Sequence, residues 1–222
     1  MTNGVNGWSF SRLQLYEECP AKFKYRNIDK LPEPKSDAMQ RGIDIHKNAE
    51  RYLTGETMLP DPTLMQFGAM FRELRELKPM AEYQLALDDG WKPTGWFAKG
   101  RNAAWVRLVL DAAVIYEDET SALVIDFKTG KKWGDNADQM DLFATGMFCA
   151  FPQLREVETR LWYLDTGEED VSVFKKKGLA ERKEAWEDRV EPLFNDTRFL
   201  PKPSNKCRWC AFSRAKGGPC KY

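Results

Sequence analysis

Trp105-Val106-Arg107-Leu108-Val109-Leu110-Asp111-Ala112-Ala113-Val114-Ile115-Tyr116 and Ala122-Leu123-Val124-Ile125-Asp126-Phe127-Lys128 are two runs rich in Val, Leu and Ile, separated by the polar hinge Glu117-Asp118-Glu119-Thr120. Such residues suit a pleated, half-buried surface, and the hinge reads as a turn between two antiparallel strands. A turn centred between Asp118 and Glu119 pairs positions whose numbers sum to 237, which sets Asp111 opposite Asp126. Because side chains alternate along a strand, Lys128 projects from the face of Asp126 while Phe127 points away. Three charged groups are therefore expected on one face. Asp111 lies in an apolar run, where an uncompensated carboxylate costs on the order of several kcal/mol. A neighbouring Asp126 adds repulsion, and a divalent cation that takes oxygen ligands, Mg²⁺ or Mn²⁺, relieves both. A salt bridge from Lys128 to one aspartate accounts for the same residues without a metal, and Asp-x-Lys alone does not separate the two.

The flanking sequence places these strands in an α/β fold. Tyr83, Leu85 and Leu87 alternate with Glu82, Gln84 and Ala86, and Val157–Leu164 and Val171–Phe174 read as further strands around a turn at Asp165–Glu169. Helical spacing is expected over Arg41–Leu53, Leu64–Leu77, Asp135–Phe151 and Leu179–Phe194, with loops at Leu31–Lys35 and around Pro60 and Pro62. Near the N-terminus, Ser11 is expected to cap a helix starting at Arg12, with Phe10 stapled to Leu15 and a break before Pro20. The sum is a central mixed sheet flanked by helices. No internal repeat is present.

Composition sets wider bounds. The 222 residues, 42% hydrophobic and 13% aromatic, suffice for one sizeable core with a small attached module. The longest apolar stretches are broken by charge and fall short of a membrane span, and Met1–Phe10 lacks the pattern of a secretory signal. The expectation is a cytoplasmic protein with no membrane partner, whose five cysteines are thiols or metal ligands. Formal net charge is zero, yet residues 201–222 carry Lys202, Lys206, Arg208, Arg214, Lys216 and Lys221 and no acid. That tail suits a phosphate backbone, or is simply solvated. Within it, Cys207-x-x-Cys210 is a compact chelate of the kind used in thiolate metal sites, and Cys220 and the distant Cys19 complete a set of four suited to zinc or an iron-sulphur cluster. Cys149 reads as a buried apolar residue on its helix. Lys128-Thr129-Gly130-Lys131-Lys132 lacks the glycine-rich phosphate loop of an ATPase, so no motor is encoded.

Several of these positions together resemble a known family. Asp111 followed by Val124-Ile125-Asp126-Phe127-Lys128-Thr129-Gly130 resembles the core motif of PD-(D/E)xK nucleases. Ser9-Phe10-Ser11, Tyr16 and Cys19-Pro20-x-x-Phe23-x-Tyr25 are similar to the opening of the RecB-like branch, which includes CRISPR-associated exonucleases and nuclease domains of recombination complexes. His46 falls where that branch has a helical histidine, Glu82 where it has a strand acid, and Gln139 where it has a glutamine after the Asp-x-Lys strand. The sequence departs from the branch at Phe143, where tyrosine is frequent, at Leu110, which stands in place of proline, and in the long spacing from Cys210 to Cys220.

The resemblance implies a restriction-endonuclease-like core over about 36–196 of a single 1–222 domain, with a cysteine module from 8–30 plus 197–222 joining the two ends of the chain. It also implies a Mg²⁺- or Mn²⁺-dependent deoxyribonuclease, an exonuclease rather than an endonuclease, acting in DNA recombination, repair or processing. Asp111, Asp126 and the backbone carbonyl of Phe127 would hold the metal, with His46 and Glu82 as further ligands. Lys128 would orient water and stabilise the transition state, and Gln139 would position Lys128 or a phosphate. The resemblance favours a [4Fe-4S] cluster over Zn²⁺ on Cys19, Cys207, Cys210 and Cys220. Arg208, Arg214 and Lys216 are the expected DNA contacts, and a helicase or recombination protein is the expected partner. The rival reading is a DNA-binding scaffold that keeps the fold without catalysis.

Overall fold

A computed structural model describes residues 3–132 and 136–222. Six strands, β1 (Met80–Leu87), β2 (Pro93–Thr94), β3 (Val106–Ile115), β4 (Ser121–Lys128), β5 (Glu156–Tyr163) and β6 (Glu168–Lys175), form one sheet in the order β2-β1-β3-β4-β5-β6. Every neighbouring pair is antiparallel except β4 and β5, which run parallel. A parallel pair needs a crossover, and α5 (Ala137–Ala150) supplies it. The mixed sheet of the sequence reading is therefore present. β2 has no counterpart in the sequence reading, and β6 is longer than Val171–Phe174 because exposed Glu168 and half-buried Glu169 continue the ladder with Tyr163 and Trp162.

The remaining helices are α1 (Phe10–Glu18), α2 (Pro20–Phe23), α3 (Asp37–Leu53), α4 (Gly68–Glu76) and α6 (Leu179–Asn195). The expected start of the α5 helix at Asp135 lies outside the described residues. Among the described residues, no helix is long and apolar enough to cross a membrane.

The chain divides into two compact units, Asp37–Lys183 and Met1–Ser36 with Glu184–Tyr222. In the first, α3 and α4 bury Ile45, Ala49, Tyr52, Phe71 and Leu74 against Ala112, Val114, Ile125, Phe127 and Trp162 of the sheet. Phe71, fully buried, contacts Phe127 at 5.1 Å and Trp162 at 5.2 Å. Burial of each such side chain is worth about 1.5–3 kcal/mol, enough to fix the helices against strands whose own hydrogen bonds are already made. The opposite sheet face carries α5. There Gly146 permits a close approach, since an added Cβ would stand 2.4 Å from Leu108 Cδ1.

Those contacts reveal a break in the sheet. Strict alternation would put Leu108 and Ala112 on one face, yet Leu108 lies beneath α5 while Ala112 belongs to the α3–α4 core. In β1 the same holds for Leu85, which lies near Gly146, and Ala81, which packs on the α3–α4 core. The alternation thus fails in both strands between these residues, and Glu82 has φ +46, a left-handed value rare for a residue with a Cβ. The β1–β3 pairing skips Glu82 and Asp111, although the register on either side is unchanged.

The second unit is held by aromatic and ionic contacts. Trp8 stacks on Trp186 at 5.8 Å, Phe23 stacks on Phe199 at 6.1 Å, and Arg189 donates to both Glu17 carboxylate oxygens at 2.7 and 3.0 Å. Pro20 opens α2 as expected, after which Lys24–Ile28 widens into a π-helical turn. The capping assignment needs correction. The N-cap residue is Ser9, α1 starts at Phe10, and no side-chain cap bond forms. Phe10 packs edge-on against Trp186 at 6.2 Å, so tertiary burial of its ring displaces the local staple to Leu15.

Candidate functional site

The β3–β4 hairpin has the predicted register. Ala112↔Ile125, Ala113↔Val124, Val114↔Leu123 and Ile115↔Ala122 each sum to 237. The ladder stops one step short of Asp111 and Asp126. In place of a strand bond, the Phe127 N–H donates to Asp111 Oδ2 at 2.6 Å, so a side-chain carboxylate accepts what a backbone carbonyl otherwise would. This corrects the expectation of three charges on one regular face. The break at Glu82 and Asp111 turns both carboxylates toward α3, where His46 Nδ1 lies 3.1 Å from Asp111 Oδ1. Ligand atoms from His46, Glu82 and Asp111 all fall within 4.8 Å of one another.

Asp126 and Lys128 meet α5 instead. Lys128 Nζ donates to Gln139 Oε1 at 2.7 Å, and Gln139 Nε2 donates to Asp126 Oδ1 at 2.9 Å. Lys128 Nζ is also 2.8 Å from Asp126 Oδ2, but no directed hydrogen bond reaches that buried oxygen. The short ion-pair distance is compatible with this, because charge proximity lacks the angular requirement of a hydrogen bond. Gln139 sits in the first turn of α5 and joins the two charged groups, so the crossover helix fixes the pair.

Electrostatically the site is in conflict. Burial and then the Asp111 charge push Glu82 up to about 7, with His46 opposing. Burial and Asp111 also raise Asp126, against the pull of Lys128. Burial draws the His46 imidazole down, but its hydrogen bond to Asp111 and the charges of Asp111, Asp126 and Glu82 outweigh it and leave the pKa raised. Three of the surrounding groups are thus driven to hold protons, as expected where carboxylates crowd without a cation.

The residues fit a divalent ion. An octahedral ion with bonds of about 2.1 Å needs neighbouring ligands about 3 Å apart, and the His46–Asp111 separation matches. Asp126 Oδ2, ion-paired with Lys128 at 2.8 Å but without a directed hydrogen bond, keeps lone-pair capacity for such an ion.

Two features of this region were not read from the sequence. Glu50, one turn beyond His46 on α3, shares an open cleft with Met39, Ile43, His46, Glu82 and Asp111. Its i+4 spacing from His46 was the available signal. Asp165 accepts from the Gly130 N–H at 2.5 Å and pairs with Arg41, tying the loop after Lys128 to α3. In sequence Asp165 is only a turn residue, and its spacing carries no sign of this contact.

In the second unit, Cys19, Cys207, Cys210 and Cys220 line one pocket. Lys202 N–H donates to Cys19 Sγ at 3.5 Å and Ser204 N–H to Cys207 Sγ at 3.4 Å. The long stretch between Cys210 and Cys220 is taken up by a 3₁₀ turn at Arg214–Lys216 and a bridge between Ser213 and Cys220. Gly218 makes this possible, since a Cβ there would stand 2.2 Å from the Phe212 carbonyl carbon. Arg208, Arg214 and Lys216 are exposed. Arg208 stacks over Trp209 at 3.6 Å and Lys216 donates to the Trp209 carbonyl at 3.1 Å. Cys149, partly buried on α5, has its thiol pKa raised by burial.

Among solved structures, the chain is similar to SSO0001, at 16% identity over 94% of this chain and 84% of that one, with a TM-score of 0.48. It is also similar to a Eubacterium rectale protein provisionally named an exonuclease, at 12% identity over 92% and 87% of the two chains, with a TM-score of 0.49. No curated protein matches. The family model of the PD-(D/E)XK nuclease superfamily matches residues 7–215, nearly the whole chain, and the protein belongs to that superfamily.

Proposed function

We propose that this protein is a Mg²⁺- or Mn²⁺-dependent deoxyribonuclease, acting as an exonuclease in DNA recombination, repair or processing. The observation that carries the reading is the convergence of His46, Glu82 and Asp111 beside the partly buried Asp126–Lys128–Gln139 network. Asp111, Asp126, His46, Glu82 and the Phe127 carbonyl are the candidate metal ligands. A bound Mg²⁺ or Mn²⁺ supplies Lewis-acid polarisation of the phosphoryl oxygen and eases deprotonation of water.

The chain's own groups do the rest. Phe127 N–H holds Asp111 in one orientation through Oδ2, leaving Oδ1 toward His46. Lys128, oriented by Gln139, directs the attacking water and offsets negative charge that grows on the phosphoryl oxygens as the scissile bond opens. Gln139 is a positioning residue, because it bonds both Asp126 and Lys128. Preference for strand ends rests on resemblance to the RecB-like branch, as does a helicase or recombination protein as partner. Exposed Arg208, Arg214 and Lys216 supply phosphate contacts in this reading.

The cysteine pocket is assigned a structural [4Fe-4S] cluster. A zinc tetrathiolate with bonds of about 2.3 Å holds its sulphurs about 3.8 Å apart. Among the described residues no three of the thiols lie within 4.8 Å of one another, which leaves room for a larger group. The two N–H···S bonds suit thiolate ligands, whose charge they offset.

The test uses end-labelled single-stranded and duplex DNA, linear and circular, with Mg²⁺, Mn²⁺ or EDTA. Cleavage that needs a metal and spares circles is expected. A protein that binds DNA but cuts none of these substrates with either metal contradicts the reading and favours a scaffold.

A further inference from the structure

The nuclease reading does not use the segment between β1 and β3, and that segment is chemically distinctive. Residues 90–110 contain Lys92, Lys99, Arg101 and Arg107, the aromatic residues Trp91, Trp96, Phe97 and Trp105, and no acid. Its base is firmly built. Trp91 is buried and meets Trp105 edge-on at 5.3 Å, and Trp105 N–H donates to the Leu87 carbonyl at 2.9 Å. Thr94 Oγ1 donates to the Asn102 carbonyl at 2.8 Å, and Arg107 Nε donates to the Trp96 carbonyl at 2.9 Å. A tight turn closes the tip, with Ala98 N–H bonded to the Gly95 carbonyl at 2.9 Å. This puts Trp96 and Phe97 at the two central turn positions.

On this ordered frame Phe97 is 84% exposed, the highest value among the large hydrophobic side chains of the described residues. A mobile loop can expose a ring at no structural cost, but here the backbone is held on both sides and the ring is still presented to solvent. Trp96 is covered by the Arg107 guanidinium, 6.0 Å from its ring centre. Lys99 and Arg101, two and four residues beyond Phe97, are exposed and form no ion pair among the described residues. An exposed planar ring flanked by unpaired cations on an acid-free segment is complementary to an unpaired base with its phosphates.

The position relative to the carboxylates is also informative. Arg107, Val109 and Asp111 follow one another at intervals of two along β3, with Ala86 and Gln84 of β1 opposite Arg107 and Val109 in register. Val109 and Gln84 are exposed, so this part of the face is open to solvent between the Trp96–Phe97 turn and Asp111. Arg107 and Asp111 are four residues apart on the strand, about 13 Å. A nucleic-acid strand whose scissile phosphate sits at Asp111 and Glu82 can lie along this open face and reach the turn within a few nucleotides.

We propose that the Gly95–Asn102 turn is a binding site for single-stranded DNA, in which Phe97 stacks on an unpaired base while Lys99 and Arg101 contact the adjoining phosphates. The inference rests on the nuclease reading for the identity of the strand, and it adds a strand-selecting element outside the metal site. It gives the enzyme a preference for unpaired over duplex DNA near the cleavage point, because a base inside a duplex does not offer its face to the ring.

Binding of fluorescein-labelled oligothymidylate and of a blunt duplex, measured by anisotropy in EDTA, separates this proposal from catalysis. Phe97→Ala is expected to weaken oligothymidylate binding about tenfold, with Phe97→Tyr restoring it and duplex binding changed little. Lys99→Ala with Arg101→Ala is expected to flatten the salt dependence for the single strand by about 1.4 in log–log slope. Phe97 is solvent-exposed, so its variants should melt like the wild type. Equal oligothymidylate affinity of Phe97→Ala and wild type overturns the proposal, and so does equal weakening for single strand and duplex. If the wild type cuts DNA while Phe97→Ala binds normally, only this inference fails. If Phe97→Ala loses single-strand binding but the wild type never cuts, only the nuclease reading fails.

Discussion

The carboxylate site and the cysteine pocket solve different problems. The first is built on β1, β3 and β4 and α3 and α5, elements whose positions are fixed by a buried core, and its groups are in electrostatic conflict as they stand. The second is built from 3₁₀ turns, loops and the junction between α1 and α2 at Cys19. A site on packed strands keeps its geometry without its ion. A site on turns draws part of its order from what it binds. The comparison therefore predicts opposite responses to loss of the bound group: loss of catalysis without unfolding in one case, unfolding in the other.

The largest effect should appear at the first site. Asp111→Ala, Asp126→Ala and Lys128→Ala are each expected to lower the DNA cleavage rate by about two orders of magnitude or more while circular dichroism stays native. Undiminished cleavage by all three would place the chemistry elsewhere. Gln139→Ala should do less, slowing cleavage without abolishing metal binding, since it acts through Lys128 and Asp126.

At the second site, anaerobically purified protein is expected to be brown, with iron and acid-labile sulphide. Cys19→Ser should lose both and melt several degrees lower, by about 5 °C or more if the lost contribution exceeds about 1–2 kcal/mol. Colourless protein with one zinc per chain would replace the cluster. Full metal retention in Cys19→Ser would remove Cys19 from the ligand set and with it the link between the two ends of the chain.

A smaller effect sharpens the contrast through pH. The folded-state pKa of Glu82 is raised from the ordinary carboxylate value to about 7, so the folded chain holds a proton that the unfolded chain releases near 4.5. That contribution to stability is present below about 4.5 and is lost as pH rises through about 7. The raised pKa values of Asp126 and His46 act in the same direction. Metal-free protein should thus melt at falling temperature across this window, Glu82→Gln should flatten the curve, and Mn²⁺ should restore stability mainly at its upper end. A metal-free stability that rises from pH 5 to 7 would contradict the conflict described for the site.

The smallest effect concerns the tail. Alanine at Arg208, Arg214 and Lys216 should weaken DNA binding and reduce its salt dependence by about 0.7 to 0.9 per lost phosphate contact. An unchanged salt titration would leave these side chains to the contacts with Trp209 that two of them already make.

How much was legible in the sequence follows from the range of the forces involved. The hairpin register could be read from Asp118 and Glu119 because a turn and a period of two are local, and all four observed pairs obey it. The meeting of Asp111 with His46 and Glu82 could not, because it depends on a matched irregularity at Glu82, a neighbour 29 positions away whose left-handed backbone has no sequence signature. Likewise Ser11 looked like a cap until Trp186 offered Phe10 a better burial site. The Lys128–Gln139 pairing was reached through family resemblance, and the structure supplies its geometry. Neither periodicity nor resemblance pointed to Asp165, whose role depends on a contact with Gly130, 35 residues earlier.

The central claim is that His46, Glu82 and Asp111 converge to hold one divalent cation next to Asp126 and Lys128. The most direct measurement is Mn²⁺ binding to the metal-free carboxylate site, by electron paramagnetic resonance and calorimetry, on protein whose cysteine site is left intact. The account predicts one Mn²⁺ per chain in the wild type, binding abolished in Asp111→Asn, and binding weakened by Glu82→Gln and His46→Ala. Mn²⁺ binding of equal strength in Asp111→Asn and wild type, or no Mn²⁺ bound at all, would contradict it.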